Sequence, residues 1–343
     1  MIKPVKLNKW DTLAVLSPSW GWPTIFPHIY KNWIKVLEKL WYKIKEYPTC
    51  QKDADFIYKN PEFRANDINN AFADKEVKAI ISNIWWSDSI RILKYLDKEV
   101  ILNNPKIFMW YSDITTINFF LNQLWIVSFN WPQIMAWISQ FDDSWEDFQK
   151  SFIEFFENLE NYEYKPFSFY SNWYLHWWDI KNTWKLNEKI PNEWWNILQW
   201  SKKFSWKLIG WCFQVLEFMK WTEYFPTPDF FKDKIFFIEI AEDDWVQFNN
   251  IKYALRNYCV SWIFENISWL LIWRTRDYTQ EEKEKLDKLI IEILVWEFWL
   301  SNLPIITNLD FGHTDPQWIL PLWIEAEFDI ENKRFYLKEK CFI

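Results

Sequence analysis

The chain has 343 residues, half of them hydrophobic and 22% aromatic, so it can bury one large core or two domains. Its net charge of −8 argues against the basic surface that a nucleic-acid partner requires. Neither an apolar run of about 18 residues nor an apolar signal region is present, so we expect a cytoplasmic protein that has no membrane partner.

The first 130 residues alternate strand patterns with helix patterns. Apolar runs predict strands at 12–16, 43–47, 77–82, 106–109 and 126–129. Amphipathic spacing predicts helices at 29–40, 61–72, 89–96 and 115–124, with Asp88 or Ser89 capping the third helix. Strands and helices that alternate in this way predict βαβ units and a parallel sheet.

The second half has a mixed pattern. Residues 142–164 are acidic and aromatic with helical spacing, and the irregular stretch 166–191 is the predicted linker. Strands are predicted at 207–209, 235–240, 270–272 and 303–307. Helices are predicted at 248–257 and at 280–296, where Thr279 is the expected cap.

Cysteine and histidine are scarce. The four cysteines form no C-x-x-C pair, which favours separate reduced thiols over a disulfide frame or a zinc site. Only His28, His176 and His313 are present, so a histidine-rich metal site is not expected. We predict neither a metal nor a cofactor.

The glycine and tryptophan counts are abnormal. A chain of this length carries roughly 24 glycines on average, but this one has 3 glycines and 30 tryptophans. Several tryptophans stand where a turn calls for glycine, such as Trp41 after a predicted helix and Trp221 between Lys220 and Thr222. One hypothesis is that UGA codons for glycine are read here as tryptophan. The alternative is a truly tryptophan-rich protein with a sugar-stacking surface, but the tryptophans do not cluster.

Ser112 lies between a predicted buried strand and a predicted helix, in the run I-F-M-W-Y-S-D at 107–113. A serine on such a sharp turn presents its hydroxyl above the sheet edge, as nucleophilic serines do. If Trp110 is read as glycine, the run matches the first half of the nucleophile-elbow pattern, although Ile114 departs from it. The alternative is a serine that caps the helix.

Two further residues have the chemistry of a proton-transfer site. His313 lies in the loop N-L-D-F-G-H-T-D-P after an apolar strand, where it is a candidate general base or a loop histidine bonded to Asp310 or Asp315. Glu239 interrupts the apolar run at 235–240. A carboxylate buried there needs a partner; on an edge strand it would face water.

Taken together, these motifs resemble the LD-carboxypeptidase family of serine peptidases. Y-S-D at 111–113, F-F-I-E at 236–239 and D-F-G-H-T-D-P at 310–316 carry the resemblance, and S-P-S-W-G at 17–21 and R-A-N-D at 64–67 extend it through the N-terminal half. The family has glycine at several of the printed tryptophans: Trp85, Trp86, Trp110, Trp131, Trp211 and Trp221.

The resemblance implies an α/β fold with a flavodoxin-like parallel-sheet N-terminal domain, residues 1–164, and a smaller β-rich C-terminal domain, residues 165–343. It implies a catalytic triad of Ser112, Glu239 and His313, with the last two supplied by the second domain. The backbone N–H groups of Trp86 and Asp113 would form the oxyanion hole. It also suggests a homodimer.

The resemblance implies hydrolysis of an amide bond beside a free carboxylate in a small peptide substrate. The main branch of the family removes the terminal D-alanine of cell-wall tetrapeptides during peptidoglycan recycling, and a longer branch, the microcin C immunity peptidases, acts on peptidyl-aminoacyl nucleotides. A non-catalytic aromatic-rich binding protein is a third interpretation. Arg274 and Arg276 either contact a substrate carboxylate or form surface ion pairs.

The codon hypothesis predicts the mass of the protein made in its native host. Peptides that span Trp86 should carry glycine there, because the N–H at this position needs the backbone freedom of glycine. Tandem mass spectrometry of the native protein measures this directly, and tryptophan at position 86 would refute the hypothesis.

Overall fold

The structure is a computed structural model of the whole chain. It describes residues 1–83, 88–109, 112–130, 146–157, 160–172, 175–183, 185, 187–200, 205–240 and 247–343. Trp85, Trp86, Trp110 and Trp131 lie outside these residues, so the predictions made for them stay predictions.

The N-terminal sheet has the strand order β14-β5-β4-β3-β1-β2. Its strands are β1 (Thr12–Leu16), β2 (Lys43–Glu46), β3 (Val77–Ser82), β4 (Ile107–Met109), β5 (Phe129–Asn130) and β14 (Leu320–Pro321). The first five are parallel, and β14 joins the edge in the antiparallel sense. Because the chain order reverses between β1 and β3, their carboxyl ends flank the crevice in which such sheets bind ligands.

The second sheet is mixed, with the order β6-β16-β15-β10-β11-β12-β13-β9. Its strands are β6 (Glu163–Tyr164), β9 (Asn196–Gln199), β10 (Ser205–Cys212), β11 (Ile235–Glu239), β12 (Trp269–Trp273), β13 (Ile305–Leu309), β15 (Glu325–Asp329) and β16 (Arg334–Leu337). The central strands β10 to β13 are parallel, so their carboxyl ends share one edge. A separate pair joins β7 (Phe169–Tyr170) to β8 (Ile190–Pro191).

Helices connect these strands and cover them. They are α1 (Trp22–Ile25), α2 (Pro27–Lys39), α3 (Ala54–Lys59), α4 (Pro61–Ala73), α5 (Lys98–Asn103), α6 (Thr115–Gln123), α7 (Glu146–Phe156), α8 (Phe213–Met219), α9 (Phe248–Val260), α10 (Ile263–Asn266) and α11 (Gln280–Ile291). Thr279 caps α11 in a capping box with Glu282, as predicted. A π-helical segment, Glu292–Glu297, extends α11.

The predicted α/β fold is confirmed, and most predicted elements differ from the observed ones by only a few residues at their ends. The helix predicted at 89–96 is instead the 3-10 helix Ser89–Tyr95, and Asp88 makes no capping bond to it. The Asp88 carboxylate bonds Arg64 and Arg91, and the Ser89 hydroxyl bonds Thr116, so neither side chain is available as a cap. Every helix in the described part of the chain is too short or too polar to span a lipid bilayer.

Seven tryptophans among the described residues have φ between 56° and 73°. This left-handed region is costly for a bulky residue and open to glycine. Trp41, Trp125, Trp262 and Trp299 each follow the C-terminal cap of a helix, where glycine is the usual residue. Trp221 follows Lys220 in a turn closed by the bond from Thr222 N to Met219 O.

These angles place tryptophan where glycine would relieve backbone strain. By contrast, Trp211 lies in β10 and is buried. The codon hypothesis itself stays a prediction.

Trp299 and Trp296 form a matched pair for testing this strain. Both side chains are exposed, 83% and 68%, but Trp299 has φ 56° whereas Trp296 lies in the π-helical segment. Trp299→Gly should raise the free energy of unfolding by about 0.5–1 kcal/mol because it removes left-handed strain. Trp296→Gly should lower it by about 0.5–1 kcal/mol, the cost of glycine inside a helix. Urea denaturation measures both free energies of unfolding, and an equal loss of stability in the two variants would contradict backbone strain at Trp299.

Candidate active site

Ser112 lies three residues beyond the carboxyl end of β4, which is a central strand of the N-terminal sheet. It is buried and has φ 58°, a strained conformation for serine. It begins the 3-10 helix Ser112–Ile114, which leads into α6. The alternative that Ser112 caps α6 is wrong, because Ile114 is the cap residue. A serine at positive φ between a strand and a helix is compatible with the predicted nucleophile elbow, and its role as nucleophile stays a prediction.

The side chain of Asp113 holds the turn that carries Ser112. Its carboxylate accepts hydrogen bonds from the Ser19 hydroxyl and from the backbone N–H groups of Asp88 and Ser89. Burial raises the pKa of the Asp113 carboxyl to about 6, although these bonds to Ser19 and Ser89 lower it. Asp113 therefore joins the loops that follow β1, β3 and β4, which flank the crevice of the N-terminal sheet.

Glu239 and His313 meet in the second sheet. Glu239 is the last residue of β11 and is 0% exposed, so the alternative of an edge-strand glutamate facing water is wrong. Nδ1 of the buried His313 lies 2.6 Å from Oε2 of Glu239. This contact with Glu239 holds the imidazole from its Nδ1 side. A carboxylate that accepts from Nδ1–H leaves Nε2 as the proton acceptor.

One hydrogen bond joins the carboxyl edge of the second sheet to the helix that follows the Ser112 turn. The backbone N–H of Cys212, the last residue of β10, donates to the hydroxyl of Thr115 at 3.2 Å. Cys212 in turn pairs with Glu239 in the register of β10 and β11. Thr115 is three residues beyond Ser112, so the serine turn and the Glu239–His313 pair lie on facing edges. The bond from the Ser112 hydroxyl to Nε2 of His313 stays a prediction.

The predicted oxyanion hole is only partly covered by the described residues. Asp113 lies immediately after Ser112, at the start of the turn into α6. Trp86 lies outside the described residues, so its predicted role is untested. Within the described part of the chain, no group of three His, Cys, Asp or Glu side chains is arranged to hold a metal ion.

Arg274 differs from the prediction of a surface ion pair. Its side chain is 0% exposed and bonds the Asp310 carboxylate. Arg276 is also buried, and its Nε lies 3.4 Å from the carboxylate of the exposed Asp277. Arg274 follows β12 and Asp310 follows β13, two adjacent parallel strands. Charged residues directly after two neighbouring buried strands were the sequence signal for this pair, because parallel strands end at a common edge.

Comparison with known proteins identifies the family. The profile of the LD-carboxypeptidase N-terminal domain matches residues 13–130, which include Ser112. The profile of the LD-carboxypeptidase C-terminal domain matches residues 207–328, which include Glu239 and His313. The chain belongs to the LD-carboxypeptidase family. It is therefore a member of a family of serine peptidases, as the motifs predicted.

Relatives in this family match nearly the whole chain. A protein of Vibrio cholerae that is named as a carboxypeptidase is 24% identical over 99% of this chain and 98% of its own length. The microcin C7 self-immunity protein MccF of Escherichia coli is 21% identical over 81% of this chain and 78% of its own length.

The fold of this LD-carboxypeptidase family member matches solved structures. One is an MccF-like protein from Streptococcus pneumoniae in complex with AMP, with a TM-score of 0.85 and 24% identity. The match covers 96% of this chain and 98% of that one. The likeness confirms the α/β fold, with a mostly parallel N-terminal sheet and a curled mixed second sheet.

Glu239→Gln tests the predicted catalytic role of the Glu239–His313 pair in this LD-carboxypeptidase family member. The amide lacks the charge that stabilises a protonated His313, so kcat should fall by roughly 10²–10⁴-fold, as for other triads. Steady-state hydrolysis of a peptide substrate measures this change. Asp287→Asn is the control, since Asp287 is a partly buried carboxylate that bonds Thr307 and Asn196. An equal loss in both variants would contradict a specific role for Glu239.

Proposed function

We propose that the protein is a serine carboxypeptidase that cleaves the C-terminal amide bond of small peptides, with the L,D bond of cell-wall tetrapeptides as its substrate. The contact that carries the proposal is the buried 2.6 Å bond between Nδ1 of His313 and Glu239. With the proton on Nδ1, Nε2 of His313 is free of a proton and can act as the general base for Ser112 in the proposed mechanism. Membership of the LD-carboxypeptidase family supports the choice of bond.

In the proposed mechanism, Nε2 of His313 takes the Ser112 hydroxyl proton as the oxygen attacks the scissile carbonyl carbon. Glu239 holds the imidazole in the required tautomer and stabilises the imidazolium. The imidazolium then gives its proton to the leaving amine, and the peptide remains as an acyl ester of Ser112. Water, deprotonated by His313, hydrolyses this ester and restores the serine.

The negative charge on the carbonyl oxygen needs hydrogen-bond donors in both steps. We propose the backbone N–H groups of Asp113 and of residue 86 for this role. The carboxylate of Asp113 supports it, because its bonds to the N–H groups of Asp88 and Ser89 hold the start of the segment that follows residues 84–87.

A second candidate is the hydrolysis of peptidyl-aminoacyl nucleotides, as in microcin immunity. The observation that favours it is the match over nearly the full length to an MccF-like protein in complex with AMP. Both candidates use the same serine chemistry and differ only in the group beyond the scissile amide. A purely binding role is less well supported, because burial of a carboxylate–imidazole pair is costly and gives a binding surface no benefit. The homodimer stays a prediction.

Turnover of two substrates by wild-type protein and Ser112→Ala tests the proposed function. Release of D-alanine from an L-Lys-D-Ala tetrapeptide should fall roughly 10⁴–10⁶-fold in Ser112→Ala, because the nucleophile is removed. Ser151→Ala is the control. It removes a hydroxyl of α7 that bonds the Tyr162 hydroxyl, and it should keep wild-type kcat. Undiminished turnover by Ser112→Ala would overturn the assignment.

The second substrate is a peptidyl-adenylate analogue. Its cleavage without any release of D-alanine would select the nucleotide substrate instead. If correctly folded wild-type protein cleaves neither compound, the proposed peptidase activity is wrong for both.

A further inference from the structure

We propose that Arg274 is a positioning residue for His313, which fixes the loop at 310–316 so that the imidazole faces Glu239. The predicted fall in kcat rests on the proposed function, but the predicted effect of Arg274 on the orientation of His313 does not. Arg274 belongs neither to the triad nor to the oxyanion hole, and it acts only through its neighbours.

The Arg274 guanidinium contacts the loop on both sides of His313. It bonds the Asp310 carboxylate before the histidine, and its Nε donates to the Thr314 hydroxyl at 2.8 Å just after it. A third bond of 2.6 Å runs from its Nη2 to the backbone carbonyl of Pro316. One planar cation thus spans the loop that carries the imidazole.

The backbone next to Arg274 contacts the same loop. The Arg274 N–H donates to the carbonyl of Phe311 in the loop at 3.3 Å and to that of Leu309, just before the loop, at 2.8 Å. Gly312, at φ 103°, lies so close to Trp273 that a Cβ atom there would be 3.0 Å from the tryptophan side chain. Because the residue before His313 packs against the residue before Arg274, a shift of the arginine would be transmitted to the histidine.

Asp310 is itself held in place, which makes the guanidinium contact rigid. Its carboxylate accepts from Asn192 at 2.8 Å and from the Phe167 N–H at 3.3 Å. The ring of Tyr170 lies 4.7 Å from the guanidinium carbon and stabilises the cation. Burial raises the pKa of the Asp310 carboxyl to about 6, and the adjacent Arg274 opposes this rise.

Only arginine has the donor geometry for this task. Its guanidinium is a planar fork of five N–H donors, whereas lysine is a compact charge that cannot reach a carboxylate, a hydroxyl and a carbonyl in one plane. Arg274→Lys therefore keeps the charge but loses the three-way contact. A displacement of about 1 Å at a catalytic group can cost on the order of 10²-fold in rate.

The first measurement is nitrogen NMR of the histidine rings, which does not depend on turnover. The chain has only three histidines, so ¹⁵N-histidine labelling gives a simple spectrum, and His313→Asn identifies the signal. In wild-type protein, His313 should show the tautomer with its proton on Nδ1. In Arg274→Lys, its ring shifts should move towards those of an imidazole that exchanges between tautomers.

The second measurement is steady-state kinetics on the peptide. For Arg274→Lys we expect kcat to fall roughly 10–100-fold with KM within about threefold, since the imidazole and not the substrate contact is displaced. Arg256→Lys is the matched control. Arg256 makes a two-point ion pair with Glu297 that is partly exposed, and the same change there should alter neither the ring shifts nor kcat.

A milder pair of variants covers the case in which Arg274→Lys does not fold. Thr314→Val removes only the acceptor of the Arg274 Nε bond and should lower kcat about tenfold, whereas Thr314→Ser keeps the oxygen and should stay within about twofold of wild type. Wild-type ring shifts in both Arg274→Lys and Thr314→Val would overturn the proposal. Loss of kcat without any change in the ring shifts would also overturn it.

The ring shifts separate this proposal from the proposed function. If the wild-type protein cleaves neither substrate, the His313 ring shifts alone test whether Arg274 positions His313. A changed His313 tautomer in Arg274→Lys would then support the positioning role while the peptidase activity fails.

Discussion

The hydrogen bond between Glu239 and His313 is the interaction on which the rest of the site depends. A carboxylate that is 0% exposed at the end of a central strand is costly unless a partner compensates for the lost water. His313 is that partner, at 2.6 Å. The same hydrogen bond compensates for the burial of the Glu239 carboxylate and leaves Nε2 of His313 as the nitrogen that can accept a proton.

The fold places this pair opposite the serine because parallel strands collect their carboxyl ends at one edge. The N-terminal sheet brings Ser112 to its edge through β4, and the second sheet brings Glu239 to its edge through β11. The bond from Cys212 to Thr115 joins the two edges. In the proposed site each sheet contributes one chemical component. Buried charged groups contact the segments that carry them: Asp113 bonds the loops beside Ser112, and Arg274 bonds the loop that carries His313.

Much of this could be predicted from the sequence, because the information is local. The strands at 12–16 and 77–82 are found at their predicted bounds, since short apolar runs between turns leave little choice. The Arg274–Asp310 pair was not predicted, because the sequence shows that each residue follows an apolar strand but not that the two strands are neighbours in the sheet. The Ser89–Tyr95 segment was misassigned because Asp88 and Ser89 bond distant residues, Arg64 and Thr116, in preference to their own helix. The tryptophans at positive φ are a third kind of case, in which the printed residue and the backbone conformation disagree.

The most direct measurement is the distance from the Ser112 oxygen to Nε2 of His313 in a crystal structure of the protein after reaction with a fluorophosphonate. If the two edges meet as proposed, the phosphorus is bound to Ser112 and the distance is about 2.6–3.2 Å. A phosphonate on a different residue, or a separation that no small side-chain rotation could close, would contradict the triad.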